Sequence, residues 1–298
     1  AHILAWRFNA FAMAICIAYL CWRIRRAPVN SDYGRIDRLF HRLVLGWPFL
    51  RRIAFDVDCS LARGAHRPSS RPVYVTGLAR SGTTILLEAL YHTGAFTSLT
   101  YRHMPFVHAP FFWSRLSSAF RTRRQLRERA HQDRLKVDYD SPEAFEEVFW
   151  LTFDANKYVS KEGLFPYVPD TQTVEDYRTF VQNVVAASEG TDSTRYLAKN
   201  NNNLLRIPAL RQAFSDAVIL VAFRHPLDQA RSLLRQHELF LTRHERDAFG
   251  LAYMSWLGHF EFGANLKPFV LASHSRELWG SRRSVQYWLK YWHHVYDY

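Results

Sequence analysis

A short glycine-containing segment, VTGLARSGTT at residues 75–84, has residue types that bind phosphate groups. Gly77 and Gly82 have the spacing of a phosphate-binding loop, but Thr83 stands where a nucleoside triphosphate site has its lysine. The backbone N–H groups of Gly82, Thr83 and Thr84 would lie at the start of the next helix, where an anion is stabilised. The segment therefore predicts an anion site that works without the lysine.

The alternative to an anion site is a simple tight turn at the two glycines. Arg80 adds a cation directly before Ser81, and Thr83 and Thr84 add two hydroxyl groups. A loop that gathers a cation, hydroxyl groups and backbone N–H groups is typical of a phosphate site. We therefore favour the anion site over the turn.

Two later segments place further cations at the ends of predicted strands. Lys199 ends a short strand and precedes four asparagines, and Arg224 follows a strand predicted at Val218–Phe223. A predicted helix with a proline near its start follows each strand. Strands that alternate with helices predict a parallel sheet, which binds ligands at the carboxyl ends of its strands. We therefore expect Arg80, Lys199 and Arg224 to converge on one crevice.

The pattern around these residues predicts the elements that position them. The β-branched and aromatic residues Val73–Thr76 predict a buried strand, and the sequence from Thr83 to Gly94 predicts a helix. With 298 residues, 48% of them hydrophobic, the chain can bury one substantial core. The predicted fold class is α/β: a three-layer α/β/α domain with a central parallel sheet, like that of P-loop NTPases, preceded by an N-terminal apolar helix.

VTGLARSGTT and VAFRHPLDQARS together resemble the two donor-binding motifs of the sulfotransferase superfamily, over residues 72 to about 240. Members of that superfamily use 3′-phosphoadenosine 5′-phosphosulfate as the sulfuryl donor, without a metal ion. The resemblance implies that the 5′-phosphate is held by Arg80, Ser81, Gly82, Thr83 and Thr84. It implies that the 3′-phosphate is held by Arg224 and Ser232. We add Lys199 to the donor-binding residues.

The implied donor explains the missing lysine. In a P-loop the lysine contacts the β- and γ-phosphates, and the next serine or threonine serves Mg²⁺. A phosphosulfate has no γ-phosphate, so hydroxyl groups suffice at Thr83. Arg80 is predicted to be catalytic, because its charge would stabilise the bridging oxygen of the leaving nucleotide.

Transfer of a sulfuryl group to a hydroxyl or amine also needs a group that accepts a proton. We select Glu147, in DSPEAFEEVFW, and His103, in TYRHMPFVHAPFFW, as candidate bases. A solvated helix face explains the glutamates equally well, and a partly buried histidine explains His103. Relatives with this fold often carry a histidine where this chain has Asn203, which cannot accept a proton at neutral pH. The aromatic residues 101–113 suggest an apolar or lipid-like acceptor.

The N-terminal residues 1–26 contain an uninterrupted apolar run, Ala10–Trp22, followed by arginines. We predict a membrane-associating segment whose basic flank keeps the main domain, residues 72–298, in the cytoplasm. A buried helix of the domain and a secretory signal peptide are the alternatives. Residues 27–71 are predicted to be a connector with short helices. Both chain ends are expected to be truncated, because the chain lacks an initiating Met and an ending signal.

One of these short helices has a clear apolar stripe. In IDRLFHRLVLG, the residues that share a face are Ile36, Leu39, Phe40 and Leu43. This spacing is a short helical pattern.

The formal net charge of +12 favours anionic partners. Nucleic acid is not favoured, because the basic run 121–136 lacks interleaved aromatic residues; a membrane lipid surface is the preferred partner. Cys16, Cys21 and Cys59 show neither a disulfide framework nor zinc-ligand spacing. Two rival functions stay open: a noncatalytic sulfotransferase-like subunit of a membrane protein complex, and a nucleotide kinase.

Overall fold

The computed structural model describes residues 35–66, 71–118, 127–128, 136–137, 140–188, 194–271 and 280–298. The predicted apolar helix in residues 1–26 and most of the basic run 121–136 lie outside the described residues. None of the helices in the described ranges has both the length and the apolar character needed to cross a bilayer.

A parallel sheet of four strands in the order β2-β5-β1-β6 forms the centre of the fold. The strands of the chain are β1 (Val73–Thr76), β2 (Phe96–Thr97), β3 (Arg127–Glu128), β4 (Lys136–Val137), β5 (Arg195–Lys199) and β6 (Val218–Val221). β1 lies between β5 and β6, with Val75 opposite Lys199 and Thr76 opposite Val221. β3 and β4 form a separate antiparallel pair.

Helices and short 3₁₀ turns surround the sheet. The helices are α1 (Arg35–Gly46), α2 (Pro48–Ala62), α3 (Thr83–Tyr91), α4 (Pro110–Ser118), α5 (Glu147–Phe153), α6 (Ala155–Tyr158), α7 (Thr171–Ala187), α8 (Ile207–Ala213), α9 (Pro226–Arg246), α10 (Ala248–Trp256) and α11 (Val285–Tyr296). The 3₁₀ turns are Tyr101–His103, Asn201–Leu205 and Gly263–Asn265.

Apolar side chains cover both faces of the sheet. Successive residues of a strand point to opposite faces. Val75 therefore packs with Leu87 of α3 on one face, while Tyr74 and Tyr196 pack with Tyr177 of α7 on the other. Parallel sheets require cover on both faces. The prediction of a mixed α/β fold with a central parallel sheet is confirmed.

The predicted connector contributes more to the body than its sequence indicates. Phe55 of α2 packs edge-on against the rings of Phe149 and Phe153. The buried carboxylate of Asp58 accepts a hydrogen bond from the N–H of Phe112 at 2.7 Å. Residues 35–62 of the segment predicted as a connector therefore form the two helices α1 and α2, and α2 packs against the main core.

Candidate functional site

The loop between β1 and α3 has a backbone that few residue types adopt. Gly77 has a φ of 136° and Gly82 a φ of 102°. A Cβ atom at Gly77 would lie 2.3 Å from the carbonyl oxygen of Ala222, so the loop approaches the end of β6 too closely for any side chain. Arg80 has a φ of 67°, in the left-handed region that L-residues rarely occupy. The loop is thus fixed by two glycines and one strained arginine.

The N-terminus of α3 is open to an anion. No side chain caps the helix at Gly82, and a Cβ atom added there would meet nothing within 4 Å. The first N–H groups of a helix have no acceptor inside the helix. Together with the hydroxyl groups of Ser81 and Thr84, these N–H groups form a donor set that suits a phosphate. The residues present therefore fit the 5′-phosphate of the implied donor.

One hydrogen bond joins the two predicted phosphate motifs. Nε of Arg80 donates to Oγ of Ser232, a buried residue of α9, at 3.2 Å. Arg224 is exposed and lies two residues before α9 begins. The loop assigned to the 5′-phosphate and the helix assigned to the 3′-phosphate therefore lie side by side.

Lys199 lies at the same edge of the sheet as Arg80 and Arg224. It is the last residue of β5, the strand next to β1, and it is buried. Its charge acts on the carboxylate of Glu261. Lys199 thus ends its strand, and Arg80 and Arg224 follow theirs, at the carboxyl ends of three neighbouring strands. Their convergence on one crevice stays a prediction.

The C-terminal helix α11 supports the loop. Oη of Tyr296 accepts the N–H of Leu78 at 3.1 Å and donates to the carbonyl oxygen of Ala222 at 2.7 Å. Gln229 of α9 donates to the carbonyl oxygen of Leu78 at 3.1 Å and accepts from the indole N–H of Trp292 at 2.9 Å. α11 and α9 therefore both fix the backbone of the loop at Leu78.

His103, a predicted base, is buried in a 3₁₀ turn. Its Nδ1 accepts the N–H of Thr100 at 3.0 Å, and its Nε2 lies 3.3 Å from Oγ of Ser114. Burial lowers the pKa of His103 to about 4. Because Nδ1 is an acceptor, the proton of the neutral ring lies on Nε2. This geometry leaves His103 without a lone pair that could take the proton of an acceptor.

Glu147, the other predicted base, is held in a buried ion pair. Its carboxylate accepts hydrogen bonds from Nη1 and Nη2 of Arg206 at 2.9 and 3.0 Å, from Nδ2 of Asn200 at 2.8 Å and from the hydroxyl of Tyr158. The guanidinium of Arg206 and the carboxylate are both almost fully buried. The solvated helix face considered for the glutamates is wrong, and every oxygen of Glu147 is engaged in the core.

The four asparagines connect the end of β5 to two different regions. Asn203 donates to Glu146 at 2.8 Å, and Asn200 donates to Glu147, so both point into the core. Asn201 instead donates to Oε1 of Glu261 at 2.9 Å, while its Oδ1 accepts from the hydroxyl of Thr83 at 3.5 Å. Asn201 therefore links the residue in the lysine position of the loop to a carboxylate.

That carboxylate belongs to a histidine–glutamate pair. Oε2 of Glu261 lies 3.7 Å from Nδ1 of His259, and both side chains are mostly buried. Burial acts to raise the pKa of Glu261, but His259 and the charge of Lys199 outweigh it and lower the pKa to about 2. Glu261 is therefore ionised at any ordinary pH. Its Oε2 atom faces Nδ1 of His259.

A small cavity lies between this pair and the loop. It is lined in part by Leu78 and Ala79 of the loop and by Asn201, Glu261 and Lys267. Two opposite charges and an amide thus face a space next to the predicted anion site.

Glu261 and His259 were not among the site residues predicted from the sequence. They lie in GHFEFG, after α10, where no motif or periodic pattern marks them. The available signal was the residue pair itself, a histidine and a glutamate two positions apart in a turn with two glycines. This pair becomes informative only beside Asn201, which the fold brings within hydrogen-bond distance of Glu261.

Two solved structures resemble this chain. Sulfotransferase STF1 from Mycobacterium tuberculosis H37Rv is 17% identical, with a TM-score of 0.43 over 74% of this chain and 66% of that chain. Sulfotransferase STF9 from Mycobacterium avium is 18% identical, with a TM-score of 0.42 over 82% of this chain and 66% of that chain. The chain thus spans just under two thirds of either protein, and likenesses this distant transfer no residue's role.

A family model provides the stronger comparison. No curated protein matches the chain. The model described as "Sulfotransferase family" matches residues 72–261. The match begins one residue before β1 and includes the loop, the asparagine turn, Arg224 and Ser232. Because it covers more than half of the 298 residues, the chain belongs to the sulfotransferase family.

Proposed function

We propose that the chain transfers a sulfuryl group from 3′-phosphoadenosine 5′-phosphosulfate to a hydroxyl or amine. The observation that carries this proposal is the contact between Arg80 of the glycine loop and Ser232 of α9. A donor with phosphates at both its 5′ and 3′ positions needs two adjacent anion sites. The uncapped start of α3 suits one, and Ser232 with Arg224 suits the other.

Arg80 would act where charge develops. In the transfer, the bond between sulfur and the bridging oxygen breaks, and a bond between sulfur and the acceptor atom forms. Negative charge grows on the oxygen that leaves with the nucleotide, and a fixed guanidinium stabilises this charge without reorganisation. The backbone of Arg80 supports such a fixed role, because a strained conformation persists only where the surrounding structure fixes it.

His259 and Glu261 would handle the proton. The acceptor loses a proton as its bond to sulfur forms, and an imidazole is the usual group to take it. Oε2 of Glu261 lies 3.7 Å from Nδ1 of His259, so a proton on Nδ1 would face the carboxylate and Nε2 would be the accepting atom. With a pKa of about 2, Glu261 itself is a weak base that stabilises the protonated ring.

The noncatalytic alternative rests on Asn203. This residue stands where relatives often carry a histidine, and it is buried against Glu146. If no other group takes the proton, the chain is a nucleotide-binding subunit of a larger assembly. Turnover of labelled donor, with water or a membrane lipid extract as acceptor, separates the two functions.

Binding calorimetry with EDTA present tests the donor assignment. We expect adenosine 3′,5′-bisphosphate to bind without Mg²⁺ and more tightly than ATP, because Arg224 and Ser232 are assigned to a 3′-phosphate. Equal or tighter binding of ATP that requires Mg²⁺ would contradict the proposal in favour of a nucleotide kinase.

A further inference from the structure

Two leucines of helix α1 face away from the protein. Leu39 and Leu43, one turn apart in the stripe, are 57% and 39% exposed. On the other side of the helix, His41 and Leu45 are 2% and 0% exposed, and His41 lies edge-on to Tyr253 of α10. An amphipathic helix normally buries its stripe in the core. Leu39 and Leu43 therefore lie outside, while His41 and Leu45 pack inward.

The apolar exposure continues where α1 joins α2. Trp47 and Phe49 are 58% and 63% exposed. We name Leu39, Leu43, Trp47 and Phe49 the outward patch. Single exposed apolar residues are normal on a protein surface, but four large ones within eleven residues indicate an interaction site.

The sequence around the outward patch is rich in arginine, which favours an anionic partner. Residues 23–52 contain eight arginines and two aspartates. Arg42 and Arg52, on α1 and α2, are exposed. Basic residues beside leucine, tryptophan and phenylalanine suit the boundary between the head groups and acyl chains of an anionic bilayer. Trp47 fits the same boundary, where an amphipathic ring is favoured.

The position of the patch in the chain points to the same partner. The apolar run Ala10–Trp22 ends twelve residues before α1, with three arginines in between. A chain of twelve residues spans at most about 40 Å, so anything bound by the apolar run lies within reach of the patch.

We propose that the outward patch lies in the interface of an anionic membrane and holds the protein against it. The patch places α1 and α2 on the lipid, and none of its four residues belongs to the candidate site. This proposal does not rest on the proposed sulfuryl transfer, because it concerns a different surface and its test measures no turnover.

Vesicle flotation of the full chain tests the proposal. The lipids are phosphatidylcholine alone and phosphatidylcholine mixed with phosphatidylglycerol. We expect binding to the mixed vesicles, with a loss of about tenfold in partitioning for the double variant Trp47→Ser and Phe49→Ser. Arg42→Gln should weaken binding to the mixed vesicles only. The matched control is Val168→Ser, which removes an exposed apolar side chain elsewhere and should bind as the parent does.

Other occupants give different results, and each overturns the proposal. If the patch binds a second copy, light scattering shows a dimer that the double variant dissociates, with vesicle binding unchanged. If residues 1–34 cover it, the double variant lowers the melting temperature and leaves vesicle binding unchanged. Should the double variant fail to fold, Leu43→Gln replaces it, and unchanged partitioning of that variant sinks the proposal.

Discussion

Arg80 combines a strained backbone with a contact that joins the two phosphate motifs. Replacing it with alanine should slow turnover by roughly a hundredfold to a thousandfold, because one lost charge-stabilising contact costs about 3 to 4 kcal/mol. Arg80→Lys should keep part of the activity, since the charge survives and the guanidinium does not. Single-turnover transfer from labelled donor measures both effects.

Arg224 provides the comparison for Arg80, because the 3′-phosphate does not react. Arg224→Ala should mainly raise the dissociation constant of adenosine 3′,5′-bisphosphate and leave the bound donor's turnover rate almost unchanged. If both alanine variants only weaken nucleotide binding, the catalytic role of Arg80 is wrong and the pocket is a binding site.

Glu261 should affect rate more than affinity. A glutamine at this position can still accept the hydrogen bond from Asn201. Glu261→Gln therefore removes only the charge that faces His259. We expect turnover to fall about a hundredfold, the lower end of general base effects, with donor affinity nearly unchanged. His259→Gln should give a similar loss. A rate that is unaffected in both variants, alongside intact donor binding, would rule out this pair as the proton acceptor.

The pKa of Glu261 also predicts how stability depends on pH. Its folded value of about 2 lies below its ordinary value of 4.5. An acid whose pKa is lowered by folding stabilises the protein above its unfolded pKa and loses this contribution as the pH falls toward the folded one. The parent should therefore lose more stability than Glu261→Gln between about pH 5 and pH 2. Urea unfolding across that range checks the difference.

Among the elements, α5 and the turn before α8 are held together by Glu147 and Arg206. The guanidinium also lies over the rings of Trp150 and Tyr158, each 4.8 Å from its centre. Arg206→Met should destabilise the protein by about 3 to 5 kcal/mol, because it leaves a buried charge unpaired. The double variant with Glu147→Leu should recover most of the loss. Urea unfolding measures both, and Glu147→Gln with a lower rate per folded molecule but unchanged stability would instead favour Glu147 as a base.

α11 should influence donor binding from a distance. Tyr296→Phe removes the hydroxyl that bonds Leu78 and Ala222 and should cost about 1 to 2 kcal/mol of stability, because it leaves two backbone groups without their partner. It should also raise the dissociation constant of adenosine 3′,5′-bisphosphate. Tyr298→Phe, an exposed tyrosine two residues later, is the control. Equal donor affinity in all three proteins would show that α11 does not position the loop.

The elements that position the site were largely predictable, because each depends on local pattern. β1 was predicted with its observed bounds, and the predicted strand at 218–223 ends two residues early at Val221. The burial of Glu147 was not predictable, because it depends on Arg206, about sixty residues away in the chain. Long-range pairing also hid Glu261, whose partner Asn201 belongs to a turn with no periodic pattern.

At the scale of the whole molecule, the described ranges contain a large apolar core of their own. Its buried apolar residues extend from Leu45 to Val295. We therefore expect a chain that lacks residues 1–26 to unfold cooperatively, at a temperature close to that of the full chain. Thermal melts of both proteins check this, and a truncated chain that shows no cooperative melt would mean that those residues belong to the core.

Strand β6 lies at one edge of the described sheet. Among the described strands β6 pairs only with β1, and its sequence is the fully apolar VILV. Its other edge therefore offers a row of backbone donors and acceptors to any extended segment that comes near. A strand from this chain or from another would lengthen the sheet without changing the loop, since β1 lies on the far side of β6. The described part of the sheet can therefore be extended beside β6.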